Sequence, residues 1–546
     1  MAPRYCTAGS FFFGAYMRGS VETTMLDRQA QLTKLSSHQL DVLVIGGGIV
    51  GSGVARDAAM RGLSTAIVEQ GDFASGTSSR SSRLLHGGMR YLAQGRVGLV
   101  REASREKKVI GHIAPHLAQP LAFIFPGRKG TSWALWKLAI GAKMYDVLCG
   151  LRNFGRSSVL GRKKTMSVLR GVSTTNLSGA VRYFDALTND ARLVLDTIRS
   201  AAQHGAAAFN YVQLVDAKRN GDLWHCELKD IESGATYQVR SRVVVNATGP
   251  WSDKLPHSNT SLRLTKGVHL VIDRHRLPVP DAVVMAEGDR ILFAIPWGER
   301  VILGTTDTDY KGALGEPTCD EADIQYIFEV TNAAFPEAQL TDADLISTWA
   351  GLRPLVADRN GNPSDISRRH EVKMNEPGWW DVTGGKLTTY RLMAEETVNA
   401  IAKFIGAAKQ KCRTAKTPLL DPSATSGISG IVPPPVSEML VKHYCRNEWA
   451  RSLGDLMIRR TSWRHYRHDH IEVAGRAARW MAVELGWDET RIQSEIARYR
   501  EHVGADGAAA PHVTFANGNG RSLDHTRVVA KEAATAGNGS HNEASK

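Results

Sequence analysis

Residues 41–69 read DVLVIGGGIVGSGVARDAAMRGLSTAIVE: an apolar run, a Gly46-x-Gly48-x-x-Gly51 turn, an alanine-rich helical stretch, a second apolar run and a terminal acid. This is the order of a dinucleotide-binding βαβ unit. Gly46 permits the tight turn from strand to helix, Gly48 lets the backbone approach a pyrophosphate, and Gly51 allows helix and strand to pack closely. N–H groups at the helix start then face the phosphates. Glu69 stands where a carboxylate accepts hydrogen bonds from a ribose. A glycine triplet alone also occurs in ordinary turns, but here strand, turn, helix, strand and acid all agree.

Next comes Ser75-Gly76-Thr77-Ser78-Ser79-Arg80-Ser81-Ser82-Arg83, a run in which Thr77, Ser78, Ser79 and Ser82 can donate to phosphates while the backbone stays close. Leu84-Leu85-His86-Gly87-Gly88-Met89-Arg90-Tyr91-Leu92 follows. With these residues the chain resembles the FAD-dependent (aerobic-type) glycerol-3-phosphate dehydrogenases of the D-amino-acid-oxidase-like flavoprotein superfamily. Further matches recur in order: Ala114-Pro115-His116-Leu117, Asp190-Ala191-Arg192-Leu193, Asn246-Ala247-Thr248-Gly249-Pro250-Trp251, Lys266-Gly267-Val268-His269, Gly304-Thr305-Thr306-Asp307, Ala350-Gly351-Leu352-Arg353-Pro354 and Gly384-Gly385-Lys386-Leu387-Thr388-Thr389. Glu448-Trp449-Ala450 to Arg459-Arg460-Thr461 looks like the signature of that family's C-terminal helical domain.

The resemblance implies an α/β fold: a Rossmann-like FAD-binding domain with an inserted antiparallel substrate cap, and a C-terminal helical domain. A chain of 546 residues is long enough for two or more domains. The expected boundaries are a disordered extension at 1–40, a discontinuous oxidoreductase domain at 41–412, the helical domain at 413–504 and a flexible Ala/Gly/Asn/Ser-rich tail at 505–546. Strand-like runs at 41–46, 64–69 and 241–247 belong to one parallel sheet, which closes when residues near 350–405 return. Short apolar runs at 264–273, 283–287, 291–296 and 301–305 have the hairpin spacing of the cap. After a Pro/Ser/Gly-rich linker, Leu453, Leu456 and Met457 recur at helical spacing.

Six cysteines lie far apart with no C-x-x-C, which favours reduced structural thiols in a cytosolic compartment over a disulfide frame or a zinc site, so no metal is expected. No apolar run has the length of a transmembrane helix. The net charge of +13 is uneven: residues 128–164 hold nine Lys or Arg against Asp146 alone, a local +8. Trp133, Trp136, Ile140 and Met144 share that segment. A basic, aromatic helix suits an anionic membrane surface; a basic helix merely packed on the cap is the alternative. The resemblance supports docking, and with it a peripheral location on the cytoplasmic face of the membrane, since relatives pass electrons to membrane quinones. No nucleic-acid module is recognised, so nucleic acid is not an expected partner. A homodimer stays open.

The chemistry implied is oxidation of sn-glycerol 3-phosphate to dihydroxyacetone phosphate by hydride transfer to FAD, with electrons passed to a membrane quinone. A peroxide-producing oxidase is the same-class alternative, and a nucleic-acid-binding flavoprotein the different-class one. A phosphomonoester wants always-charged planar forks, so Arg90, Arg353 and Arg368 are the clamp candidates, with Tyr91 beside Arg90. His269 and His86 are candidates for the proton acceptor, because imidazole titrates near neutrality. His86 can instead hold the flavin ring, and Arg353 can assist deprotonation electrostatically. Lys386 and Lys266 are candidates for substrate contact or for stabilising the reduced flavin. Beyond Gly46, Gly48, Gly51, Glu69 and the hydroxyl run, the cofactor contacts expected are His86, Gly87, Gly88, Ala247, Thr248, Gly249, Gly385, Lys386, Thr388 and Thr389.

Overall fold

A computed structural model of the chain describes residues 28–89, 92, 95–150, 153–288, 290–315, 317–356, 370–407 and 410–505. The tail from residue 506 and the first 27 residues lie outside them, as do Arg90, Tyr91 and Arg368.

The quoted βαβ unit forms as read: strand Gln39–Ile45, helix Ile49–Met60 and strand Thr65–Val68. These sit in a sheet whose order is His370–Glu376, Trp379–Gly384, Thr236–Asn246, Gln39–Ile45, Thr65–Val68, Ala207–Phe209. Along this path every pairing is parallel except that of the first edge strand; off it, Leu223–Asp230 pairs antiparallel with Thr236–Asn246 and with Val212–Asn220. A parallel sheet is covered on both faces, which is why its central strands read as unbroken apolar runs. On one face the helices Ile49–Met60, Asp190–Gln203 and Tyr390–Phe404 bury Val42, Val44, Ile67 and Val245. On the other, Leu43, Ile45, Ala66 and Val244 pack with Trp224, Trp379, Leu32 and Leu35.

The last two residues correct the expected extension. Residues 28–40 are not disordered: Arg28–Ser37 is a helix that buries Leu32 and Leu35, and Arg28 is anchored by Asp230 at 2.8 Å. Its stability is tertiary, supplied by a strand two hundred residues away.

The second sheet is the cap. It runs Thr308–Asp309, Leu262–Asp273, Arg300–Gly304, Arg290–Trp297, Ala282–Glu287, Gln119–Arg128, Leu177–Leu187, Leu84–Leu85, with Leu345–Val356 paired to Leu262–Asp273. The last pairing is a second correction: residues near 350 belong to the cap, and the cofactor sheet resumes only at His370. The long antiparallel register Leu262↔Val356 to Ile272↔Leu345 places His269 opposite Trp349 and Thr265 opposite Arg353.

Helices Glu438–Asn447, His470–Leu485 and Glu489–Ala505 bury Leu453, Leu456 and Met457 in a core of their own, and Asp455–Arg460 is wound as a wider π-helix. In the basic segment the helix Leu135–Leu148 buries Leu138, Ala142 and Tyr145. Its other edge exposes Trp136, Ile140, Met144 and Val147 by 63, 54, 47 and 64%. Ile140, Met144 and Val147, together with Val97, border an open apolar groove of about 530 Å³. Trp133 is not on this edge. Its ring packs on Phe125 at 5.1 Å and its indole N–H donates to the Gly288 carbonyl at 2.8 Å, so it is fixed to the cap. No described helix is long and apolar enough to cross a membrane.

Candidate active site

The glycine turn is as tight as its spacing requires. Gly46 has φ +107°, and a Cβ there would lie 2.6 Å from the Ala247 carbonyl oxygen; one at Gly51 would lie 2.0 Å from the Gly46 carbonyl oxygen. Gly48 differs. It starts the helix without a side-chain cap, and a Cβ there would meet only the Ser78 hydroxyl, at 3.1 Å. Ser78 Oγ accepts from the Ile49 N–H at 3.0 Å. The Glu69 carboxylate accepts from the N–H groups of Gly47 and Gly71 at 2.8 and 2.9 Å; burial pushes this carboxyl above its usual range, against those two donors. At the neighbouring strand end, Thr248 Oγ1 donates to Asn246 at 2.7 Å, and Gly249, with φ +59°, has open space where its side chain would be. A glycine at the helix start with only the Ser78 hydroxyl near it, open space at Gly249, and Ala247 and Gly46 in backbone contact fit a dinucleotide lying across the carboxyl ends of parallel strands.

The hydroxyl run ties this turn to the cap and to helix Asp190–Gln203 of the cofactor sheet. Thr77 Oγ1 donates to the Leu352 carbonyl at 2.6 Å, Ser81 N–H to Asp190 at 2.9 Å, and Ser82 Oγ lies 2.7 Å from His269 Nε2. Ser79 is buried. The His86 N–H donates to Thr388 Oγ1 at 3.2 Å, which brings the His86–Gly88 turn against the turn holding Gly385, Lys386, Thr388 and Thr389. Lys386 is half-buried there, and Gly385 backs onto Met393.

Beneath the His86–Gly88 turn lies a network that the sequence reading missed. Gly87 N–H donates to the Tyr145 hydroxyl at 2.9 Å, Tyr145 donates to Asp185 at 2.5 Å, and Lys107 Nζ lies 2.6 Å from the same carboxylate oxygen. All three side chains are buried, and burial beside Asp185 pushes the Tyr145 phenol well above its usual range. Gly87 is forced to be glycine, since a Cβ would sit 2.4 Å from the Tyr145 oxygen. A lysine and an aspartate on otherwise apolar element faces were the available signal.

His269 is buried and stacks on Trp349 with ring centroids 5.2 Å apart. Its Nδ1 has no hydrogen-bond partner among the described residues. Burial, with Arg353 and Arg83 as nearby cations, lowers its pKa to about 3. An imidazole titrating near neutrality is therefore corrected to one held neutral. Arg353 reaches back over Gly267, where a Cβ would lie 2.2 Å from Nη2; it donates to Thr305 Oγ1 at 2.8 Å and pairs with Asp307 at 3.1 Å. The Thr305-Thr306-Asp307 motif thus seats this arginine beside His269. Lys266 does not join them. Strand alternation turns it to the opposite face, where its amine bridges Asp320 and Asp323 at 2.7 and 2.5 Å at the start of helix Glu321–Ala334. Arg83, buried over Trp297 at 4.3 Å and Trp349 at 5.2 Å, is a neighbour of the site that the motifs did not single out.

The described residues therefore unite the glycine turn, the hydroxyl run, the His86 turn and the His269–Arg353 pair at the junction of two sheets. The family model for the FAD dependent oxidoreductases matches residues 41–399. Glycerol-3-phosphate dehydrogenase 2 of Mycobacterium tuberculosis is 36% identical over 87% of this chain and 89% of its own length. Aerobic glycerol-3-phosphate dehydrogenase of Staphylococcus epidermidis is 40% identical over 68% of each. Among solved structures, the glycerol-3-phosphate dehydrogenase from Bacillus halodurans complexed with FAD superposes with a TM-score of 0.71 at 28% identity, covering 88% of this chain and 97% of that one. The chain belongs to the FAD-dependent oxidoreductase family and, within it, to the FAD-dependent glycerol-3-phosphate dehydrogenases.

Proposed function

We propose that this enzyme oxidises sn-glycerol 3-phosphate to dihydroxyacetone phosphate and delivers the two electrons to a membrane quinone. The observation that carries the reading is the Arg353–His269 pair: a fixed, partly open cation beside a buried neutral imidazole, next to a turn that fits the flavin cofactor. FAD, when bound, supplies the hydride acceptor.

Arg353 offers its guanidinium to the phosphate dianion, with Arg90 and Arg368 as further members of the clamp. His269, held neutral by burial, accepts the hydroxyl proton at Nδ1, the ring nitrogen that Ser82 does not engage. The substrate dianion offsets the charge of Arg353, one of the causes of His269's low basicity. His86 and the Gly385–Thr389 turn hold the flavin end, and Lys386 adds positive charge there.

The exposed edge Trp136, Ile140, Met144 and Val147, with Arg162, Lys163 and Lys164 at the start of an exposed helix nearby in sequence, supports docking on an anionic bilayer at the cytoplasmic face. A surface apolar strip on the helix that also carries Tyr145 favours a lipid-borne acceptor over oxygen. The test is turnover with glycerol 3-phosphate on anionic vesicles containing quinone, with and without air. Quinone reduction without peroxide is expected; peroxide formed at the same rate without quinone would establish the oxidase instead.

A further inference from the structure

The family match ends at residue 399, yet the helices beyond it reach back to the glycine turn. Residues 69–74 form one wall of that turn. The Phe73 ring lies so close that a Cβ on Gly47 would be 2.5 Å from it, and Ala74 N–H donates to the Gly47 carbonyl at 3.0 Å. This wall is held from behind by the C-terminal module. Trp449 sets its edge on Phe73 at 5.3 Å and 89°, and its carbonyl accepts from Asn210 at 2.8 Å. Asn210 donates also to Asp72 at 3.0 Å. Arg459 and Arg460 both pair with the buried Asp72 carboxylate, 387 and 388 residues away in sequence.

Two adjacent helical residues ordinarily point about a hundred degrees apart, given 3.6 residues per turn. Here the widened turn Asp455–Arg460 delivers both guanidinium groups to one carboxylate. Asp455 pairs with Arg459 at 2.7 Å, so two acids face two arginines. Burial would raise the Asp72 pKa, but the two arginines outweigh it and lower it. Breaking such a buried set leaves uncompensated charge, so the contact is held firmly.

We propose that the C-terminal helical module is a cofactor brace: by holding Asp72 and Phe73 it fixes the 69–74 wall of the glycine turn, so that FAD binding and seating of residues 448–460 are coupled. This rests on the placement of FAD on the Gly46–Gly51 turn. Coupling is reciprocal, so a module that tightens FAD must itself be tightened by FAD to the same factor.

Two measurements test it. In the wild-type holoenzyme, hydrogen exchange of the amides of 448–461 is expected to be at least tenfold slower than after FAD is stripped, and to slow more than that of the module's distal helix Glu489–Ala505, whereas a merely structural contact would slow both alike. In Trp449→Ala, the FAD dissociation constant is expected to rise at least tenfold, with Trp449→Phe recovering most of it. Exchange at 448–461 indifferent to FAD, or Trp449→Ala binding FAD as wild type, overturns the brace. If Gly48→Val also retains FAD normally, the placement of the cofactor fails instead, so the two failures are distinguishable. Should Trp449→Ala not fold, Phe73→Leu and the wild-type exchange experiment carry the test.

Discussion

Gly48→Val separates cofactor binding from folding. Gly48 has φ −80° and ψ −174°, a backbone open to any residue, and the Cβ of valine would meet only the Ser78 hydroxyl. The apo fold therefore has little reason to object, and a change in helix N-cap quality of about 1 kcal/mol is the expected cost. On the proposed placement of FAD, the space the side chain fills is where the pyrophosphate would approach the helix start. Losing two charge-assisted hydrogen bonds at about 1.5–3 kcal/mol each is about 3–6 kcal/mol, or roughly two to four orders of magnitude in FAD affinity. Gly51→Ala is the contrast: its Cβ would sit 2.0 Å from a backbone carbonyl that cannot move aside, so the fold itself suffers. The assay is the flavin absorbance that survives gel filtration, read beside a thermal melt of each apoprotein. Gly48→Val is expected to be colourless with a near wild-type melt, and Gly51→Ala poorly folded. A fully yellow Gly48→Val would refute the account of the turn.

Arg353→Ala should lower kcat/KM for glycerol 3-phosphate by about 2–4 kcal/mol in transition-state terms, the loss of a charge-assisted pair; steady-state kinetics with unchanged efficiency would remove it from the clamp. Tyr145→Phe leaves the Gly87 N–H with only Asp185, at 3.4 Å, so flavin reduction in a single turnover should slow by a factor matching about 1–3 kcal/mol; an unchanged rate would make the network irrelevant to the turn. Trp136→Ser with Ile140→Ser should weaken binding to anionic vesicles, as should neutralising Arg162, Lys163 and Lys164, each cation near the surface contributing about 1 kcal/mol; activity with a soluble dye should persist, and parallel loss of dye activity would make the segment structural. His470, with its pKa lowered to about 4, and His465, well below its usual range, are buried and uncharged in the fold. The unfolded chain then binds more protons than the native one between the folded value and the unfolded value of about 6.5, so stability falls on acidification from about pH 6.5 by up to about 1.4 kcal/mol per unit and histidine. A Tm flat from about pH 7 to about pH 5 would contradict this linkage.

The βαβ unit was legible because its instructions are local: glycines at fixed spacing and apolar runs whose burial follows from a parallel sheet. The cap hairpins were legible for the same reason. Helix Arg28–Ser37 was not, since its apolar residues are few and its anchor, Asp230, is 202 residues distant. Residues near 350 read as a return to the cofactor sheet, but an apolar strand does not say which sheet it will join. Lys266 and His269 came from one motif, and only strand alternation sends the lysine away to Asp320 and Asp323. Chemistry chosen by residue type met the same limit. His269 has the right ring but a pKa set by burial and by Arg353 and Arg83, which arrive from other strands. Trp133 and Trp136, three residues apart, have the same composition value and opposite fates. Trp449, Arg459 and Arg460 were recognisable within a signature, while what they hold, Phe73 and Asp72, meets them only once the chain has folded; Glu448 of the same signature pairs instead with Arg192 at 2.5 Å.

The most direct measurement is an anaerobic titration of the purified holoenzyme with sn-glycerol 3-phosphate, following the flavin band. Stoichiometric bleaching by the phosphate ester, with glycerol ineffective at the same concentration, is the expected result. A flavin that stays oxidised with the ester, or bleaches equally with glycerol, would contradict the assignment of substrate and clamp together.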